Sequence, residues 1–351
     1  MKLCNRSNLR VTSFALLLAM FSACSGTTTE TAGSTTAVQT NGETITIYSG
    51  RNETLMSALF TQFSNETGVK LEVRYGDSGE LAALLLTEGD KSPADIFFAQ
   101  DAGALGAVES AGLLSPLPSD VTDAVDAKFR SKNGKWVATS GRARVLIYNP
   151  DLVASPPASL DDLLDPKFEK KIGYAPSNAS WQSFVTALRL TRGEAGARAW
   201  LTGLAANKPI AYEKNGAVRD AVNSGEISLG LINHYYLYEL ISKIGADKVV
   251  AKNHFFKDQD AGSLVNIAGV GVLASSKKTE AALSMVRYLL SVAGQSYFAG
   301  KTFEYPMTPG VIQFVSLPSL MELNSPPIDL ADLKTIEETQ ELLERVGLLT
   351  K

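Results

Sequence analysis

Residues 44–49 (TITIYS) alternate apolar and polar side chains, the two-residue period of a strand with one buried face. Residues 53–66 then bring Leu55, Met56, Leu59, Phe60 and Phe63 to one face at helical spacing, which predicts an amphipathic helix. Strict alternation returns at 69–75 (VKLEVRY), a second strand. Residues 78–88 read as a helix, 95–99 (DIFFA) as a short buried strand, and 102–113 as a helix closed by turn residues. An order β-α-β-α-β-α predicts a mainly parallel sheet with helices on both faces.

A second block opens near Arg142. Residues 142–148 (RARVLIY) predict a strand, and Ser159 is placed to cap a helix entering LDDLL. Strands are predicted at 172–175, 227–232 (ISLGLI) and 249–255, and helices at 181–190, 194–204, 218–222 and 235–244. Residues 263–274 (SLVNIAGVGVLA) form a long β-rich run, followed by a long helix at 280–298 and a closing helix at 333–348. Two α/β halves result, with the runs near 140–148 and 264–274 as crossovers between them. A ligand then belongs in the cleft where strand ends and helix N-termini face each other. No internal repeat of fixed period is visible, and Ser325-Pro326-Pro327 marks a loop.

The N-terminus follows export grammar. Lys2, Arg6 and Arg10 form a positive start, and the apolar stretch that follows is too short to span a bilayer as a mature helix. It ends in Phe21-Ser22-Ala23-Cys24, which resembles a bacterial lipobox in which Cys24 becomes the lipidated first residue. The stretch after Cys24, to 43, is Thr, Gly, Ser and Ala with almost no large apolar residue, the composition of a flexible tether. The predicted organisation is a lipoprotein signal peptide at 1–23, a tether at 24–43 and a globular body beginning near Thr44.

Composition narrows the function. The chain has 351 residues, 45% of them hydrophobic and 20% charged, an ordinary globular make-up with room for about two domains. Removing the signal leaves 30 basic against 37 acidic side chains and no basic run, which disfavours nucleic acid as a partner. Two Cys and two His exclude zinc ribbons, Cys-rich scaffolds and iron–sulfur clusters. There is no G-x-S-x-G elbow and no P-loop. Residues 269–274 match G-x-G-x-x-A, but those glycines lie inside a β-rich run rather than at a strand–helix junction, so close packing or a hinge is the better reading. His234 and His254 lack a nucleophile pattern nearby and read as surface or satisfied polar groups.

The informative stretch is Asn233-His234-Tyr235-Tyr236-Leu237-Tyr238, directly after ISLGLI. Asn233 or His234 stands where a helix N-cap belongs, so Tyr235 and Tyr236 fall in the first turn and both phenols can reach one cleft. Phenolate is a hard anionic donor, and a helix N-terminus favours negative charge. Two such donors suit a hard trivalent cation that displaces their protons. Read alone, an aromatic pair after a strand is most often packing.

The stretch resembles the double-tyrosine site of bacterial periplasmic ferric-iron-binding proteins, the substrate-binding components of iron ABC transporters. TITIYSGR (44–51), GDKSPADIF (89–97), GLLSPLP (112–118), GRARVLIY (141–148), IGYAPSNA (172–179), KNGAV (214–218) and EYP (304–306) resemble that family in the same order, so the likeness runs from about Thr44 to Val315. It implies an α/β, two-lobed periplasmic-binding-protein fold of type II, with an N-terminal lobe at 44–141 plus 272–351, a C-terminal lobe at 142–271 and crossover hinge strands.

By the same resemblance Tyr235 and Tyr236 hold Fe(III), the transported ligand. The other metal positions fall on Asn52 and Glu53 in the first loop and on Gln100, with Asp101 beside it as a substitute. Asn52 and Gln100 depart from the family's His and acidic residue, and the extra tyrosine of some relatives falls on Trp181, which cannot ligate. A synergistic anion, carbonate or phosphate, is implied at Ser177, Asn178, Ala179, Asn215 and Asn233, with Arg142 and Arg144 as guanidinium partners. Where relatives carry an Arg near the EYP strand, this chain has Lys301, Thr302 and Phe303.

The implied function is an extracytoplasmic receptor, anchored to a membrane by lipid at Cys24 and acting as a monomer in the periplasm or on the outer face of the cytoplasmic membrane. It would deliver iron to the permease and ATPase of an ABC importer and catalyse nothing. The alternatives are a related receptor for a phosphonate, polyamine or oxyanion, and an exported hydrolase, for which no nucleophile, base and orienter are supplied.

Overall fold

The computed structural model describes residues 42–313 and 317–349; the signal segment, Cys24 and the tether as far as 41 lie outside the described residues. The first half opens with β1 (Thr44–Ser49), α1 (Glu53–Thr67), β2 (Lys70–Tyr75), α2 (Ser78–Glu88), β3 (Ile96–Ala99) and α3 (Ala102–Ser110). β1 lies between β2 and β3 and is parallel to both, with Thr44 opposite Lys70 and Ile47 opposite Ile96. The apolar face of α1 read from the sequence is the one it buries: Met56, Leu59, Phe60 and Phe63.

A short α4 (Ser119–Thr122) leads into β4 (Val137–Tyr148). Next come β5 (Ile172–Tyr174), α5 (Ala179–Ala206), β6 (Ile210–Ala211), α6 (Asn215–Ser224), β7 (Leu229–Asn233), α7 (Tyr235–Ile244) and β8 (Lys252–His254). The chain returns through β9 (Val265–Val272) to α8 (Thr279–Leu290), α9 (Val292–Lys301), β10 (Tyr305–Pro306) and α10 (Ile336–Arg345). The sheet order is β2-β1-β3-β9-β4-β7-β5-β6, with β8 and β10 also pairing with β4.

The two halves of the sheet meet on β4. Its residues from Val137 to Ala143 pair with β9, and Arg144 to Tyr148 pair with β7. β9 in turn pairs with β3. The first run expected as a crossover is therefore in the strand that carries the sheet from one half to the other, and the second lies in β9, which joins β3 to the first part of β4. All eight residues of β9 and all but the last of β4 are buried, so neither strand shows the alternation of a half-exposed one. Gly269 and Gly271 lie within β9, where a Cβ at 269 would sit 2.8 Å from Leu105 Cδ1 and from the Val137 carbonyl oxygen. Those glycines serve close packing of α3 and β4, not a phosphate-binding turn.

Several boundaries differ from expectation for local reasons. The run at 280–298 is two helices, because Ser291 is extended (φ −68°, ψ 165°) and its Oγ accepts the Gly294 N–H. The 102–113 helix ends at Ser110, and Gly112 turns the chain at φ 77°. LDDLL forms only a single 3₁₀ turn, since Pro166 biases Asp165 away from helical geometry. At the C-terminus a 3₁₀ turn at 330–334 precedes α10. Among the described residues no helix is long and apolar enough to cross a membrane.

Candidate metal centre

The carboxyl ends of the parallel strands converge here. β1 leads to residues 51–53, β3 to Gln100 and Asp101, β5 to 177–180, β6 to Asn215 and β7 to Tyr235 and Tyr236. In open α/β sheets these ends are where ligands bind.

β7 closes with buried Asn233, paired in register with Arg144 on β4. One residue later α7 begins, and its first two side chains stack: the Tyr235 and Tyr236 rings lie 4.3 Å apart between centroids at 28°. Tyr235 is buried and Tyr236 half-buried. Burial raises the Tyr235 phenol well above its ordinary range, and Tyr236, through its charge and a hydrogen bond, pushes the same way, while the Arg142 charge opposes them. The unliganded Tyr235 phenol is therefore protonated, and a cation binding to it must displace its proton.

His234 fixes this turn rather than supplying a ligand. Its Nδ1 accepts the Ala143 N–H at 3.1 Å, and its Nε2–H donates to the Phe303 carbonyl at 2.8 Å. The Ala143 donor needs a lone pair and the Phe303 carbonyl needs a proton, so the partners select one neutral tautomer. Full burial pushes the imidazole down to about 4. Asn253 Nδ2 donates to the His234 carbonyl at 2.8 Å, tying β8 to the same joint.

The residues assigned to an anion come together beside the tyrosines. Asn178 caps α5: its Oδ1 accepts the Ser180 N–H at 3.0 Å and the Ser180 hydroxyl at 2.6 Å. Asn215 Nδ2 donates to Asn178 Oδ1 and to Ser180 Oγ, each at 3.1 Å, while its own buried Oδ1 has no hydrogen-bond partner. Arg144 Nη1 reaches Ser180 Oγ at 3.4 Å, and its Nη2 donates to the Leu231 carbonyl at 2.6 Å. Its guanidinium lies 5.0 Å from the Phe184 ring centroid and 5.7 Å from that of Trp181. Burial pulls Arg144 down to about 9, with Tyr236 and Tyr235 acting in the opposite sense, so it stays cationic at neutral pH. Ser177 and Ala179 are exposed at the same helix start. Ser180, the next residue of the same helix start, adds its hydroxyl to this network.

The first half contributes a buried ionic cluster. Arg51 Nη1 and Nη2 grip Glu304 at 2.9 and 2.7 Å, and Nη1 also donates to Gln100 Oε1 at 2.9 Å. Arg142 Nη2 donates to the Gln100 carbonyl and to the Ile267 carbonyl. Burial opposes ionisation of Glu304, but the Arg51 charge and its hydrogen bonds hold the carboxyl below the usual range. Arg51 and Glu304 stand 253 residues apart, and nothing local in either string announces the other. Asp101 caps α3 through the Ala104 N–H, and burial raises its carboxyl. Asn52 and Glu53 are exposed at the start of α1, where Asn52 Oδ1 accepts the Thr54 N–H and the Glu53 charge acts on Tyr75. The structure thus groups Tyr235, Tyr236, Arg142, Arg144, Asn178, Asn215, Asn233 and Gln100, and leaves Asn52 and Glu53 outside that network among the described residues. No cluster of three or more His, Cys, Asp or Glu able to hold a metal ion occurs among those residues, so a metal here depends on the phenols.

A family model described as bacterial extracellular solute-binding protein matches residues 91–324. The Fe(3+)-binding periplasmic protein of Serratia marcescens is 34% identical over 308 residues, covering 87% of this chain and 90% of the relative. The major ferric iron-binding protein of Neisseria meningitidis is 33% identical, covering 87% and 93%. The structure of iron-bound HitA from Pseudomonas aeruginosa superposes with a TM-score of 0.81 at 34% identity, covering 87% of this chain and all of that one. The architecture is accordingly the two-lobed, type II periplasmic-binding fold expected from the sequence.

Proposed function

The chain belongs to the bacterial extracellular solute-binding proteins, and from that membership we propose that it captures ferric iron with an oxyanion and delivers it to an ABC importer. The observation that carries the reading is the stacked Tyr235–Tyr236 pair at the head of α7, beside two buried guanidiniums. Fe(III) is the cargo: the two phenolates supply hard anionic oxygens, and Arg144, Ser180, Asn178 and Asn215 hold a carbonate or phosphate against it. The relatives named for ferric iron disfavour a phosphonate or polyamine receptor.

The lobes are assigned as 44–141 plus 272–351 and 142–271, with β4 and β9 as the hinge. The ion bridges them and stabilises the closed state. Cys24 carries the lipid anchor, the protein acts as a monomer outside the cytoplasm, and the importer's permease and ATPase receive the iron. Release follows from loss of the anion, protonation of the phenolates or contact with the permease.

Each phenol loses a proton on binding, so ferric affinity falls as pH falls, by up to about 100-fold per pH unit for two released protons. Competition titrations against a ferric chelator of known affinity, at neutral and mildly acidic pH, read this directly. An affinity unchanged across that interval contradicts tyrosinate ligation.

A further inference from the structure

Between the end of α9 at Lys301 and the start of β10 at Tyr305 the chain turns in three residues, Thr302, Phe303 and Glu304. The turn is made at Phe303, whose φ is 58°. That left-handed region is rare for any residue with a Cβ, and a bulky side chain persists there only when its surroundings over-determine it. The other non-glycine residues at positive φ among those described, Lys170, Lys208, Gln259 and Asn324, are polar and exposed. Phe303 is aromatic and half-buried.

Its neighbours hold it on both sides. Arg51 grips Glu304 at 2.9 and 2.7 Å, and the Glu304 N–H donates to the Phe298 carbonyl at 3.0 Å. Thr302 is buried, with its hydroxyl 2.9 Å from the same carbonyl. The Phe303 ring lies 6.3 Å from that of Tyr238 on α7. What this backbone presents is a carbonyl, which accepts the His234 Nε2–H at 2.8 Å.

That hydrogen bond falls where α7 is least supported by its own sequence. The helix starts without a side-chain cap, so its first turn hangs on the polar groups of His234. The His234 N–H and Nδ1 pair with the Ala143 carbonyl and N–H on β4, and its carbonyl accepts from Asn253 on β8. The Nε2–H instead reaches out to the segment past α9. Tyr235 follows directly, its ring 5.9 Å from the imidazole.

We infer that Phe303 is a positioning residue for ferric capture: its left-handed backbone aims a carbonyl at His234, and that bond sets the first turn of α7, with Tyr235 and Tyr236, against the segment that Arg51 anchors. The inference rests on the ferric reading above. Phe303 touches neither ion nor anion in this role. Its ring serves to hold the backbone, and the backbone does the positioning.

Glycine and asparagine adopt positive φ readily, whereas alanine and valine do not, so substitutions separate backbone from ring. Phe303→Gly and Phe303→Ala discard the same ring and differ by one methyl group. Ferric affinity is read on the purified full chain by competition against a chelator of known affinity. In parallel, NMR of iron-free protein labelled at histidine follows exchange of the His234 Nε2 proton with water. The chain has two histidines, and His254→Gln assigns their signals.

Phe303→Gly and Phe303→Asn bind ferric ion within about threefold of wild type, and Phe303→Ala binds about tenfold more weakly, the size of one hydrogen bond. Phe303→Val is weaker still, and if it fails to fold the Gly and Ala pair decides. The Nε2 proton exchanges faster than wild type in Phe303→Ala and at the wild-type rate in Phe303→Gly. Equal affinities in the Gly and Ala variants, whether low or at the wild-type level, overturn the proposal. So does a loss in Phe303→Ala with unchanged proton exchange, because the effect then bypasses His234. A wild-type protein that binds no ferric ion overturns the ferric reading itself, and this inference with it.

Discussion

His234 bonds the Ala143 N–H through one ring nitrogen and the Phe303 carbonyl through the other, so only the neutral ring fits. Its folded pKa of about 4 lies below the ordinary 6.5. Between those values the unfolded chain takes up a proton that the folded chain refuses. Stability present above pH 6.5 is therefore lost as pH falls, by about 1.4 kcal/mol per pH unit from this group. Denaturant titrations of the iron-free protein from pH 7 to 5 should show that slope, reduced by about this amount in His234→Gln. Parallel slopes would mean that the imidazole titrates in the folded state as freely as in water. The sequence shows why tyrosines at 235 and 236 share a direction, since a strand end followed by a helix start is a local pattern. The Arg51 grip on Glu304 and Gln100 is not local, and only the fold brings those side chains together.

α5 shows what an element inherits from its sequence. Residues 181–190 and 194–204 read as two helices, and the structure breaks the span at Gly193, with φ 70° and ψ 168°. That region is essentially closed to residues with a Cβ, although nothing lies within 4 Å of a Cβ built there. Gly193→Ala should cost about 1–3 kcal/mol through the backbone alone. A denaturation midpoint equal to wild type would show that the kink relaxes freely. Ser291 is the contrary case. It stands inside an apolar run of helical period, and its hydroxyl captures the Gly294 N–H, a competition that periodicity does not register. β4 was legible only from Arg142 onward, because its earlier residues, Val137 to Gly141, mix small and polar side chains that are buried by β9.

The whole molecule is organised around one strand that serves both halves. β4 gives its first part to β9 and its last part to β7, and the tyrosine helix follows directly from β7. The C-terminal segment joins the halves a second time. Residues 330–334 press on α3 so closely that a Cβ at Gly106 would meet the Ala331 carbonyl oxygen at 2.5 Å. α10 then lies on α5, where the Thr186 and Thr339 hydroxyls are 2.7 Å apart and Arg189 donates to the Thr335 carbonyl at 2.9 Å. The direct test is a visible absorption spectrum of the purified protein before and after ferric citrate, with bicarbonate and then phosphate present. A tyrosinate-to-iron charge-transfer band should appear, weaken in Tyr235→Phe and in Tyr236→Phe, and vanish in the double variant. A band that survives the double variant, or none at any ferric level, would contradict ligation by this pair.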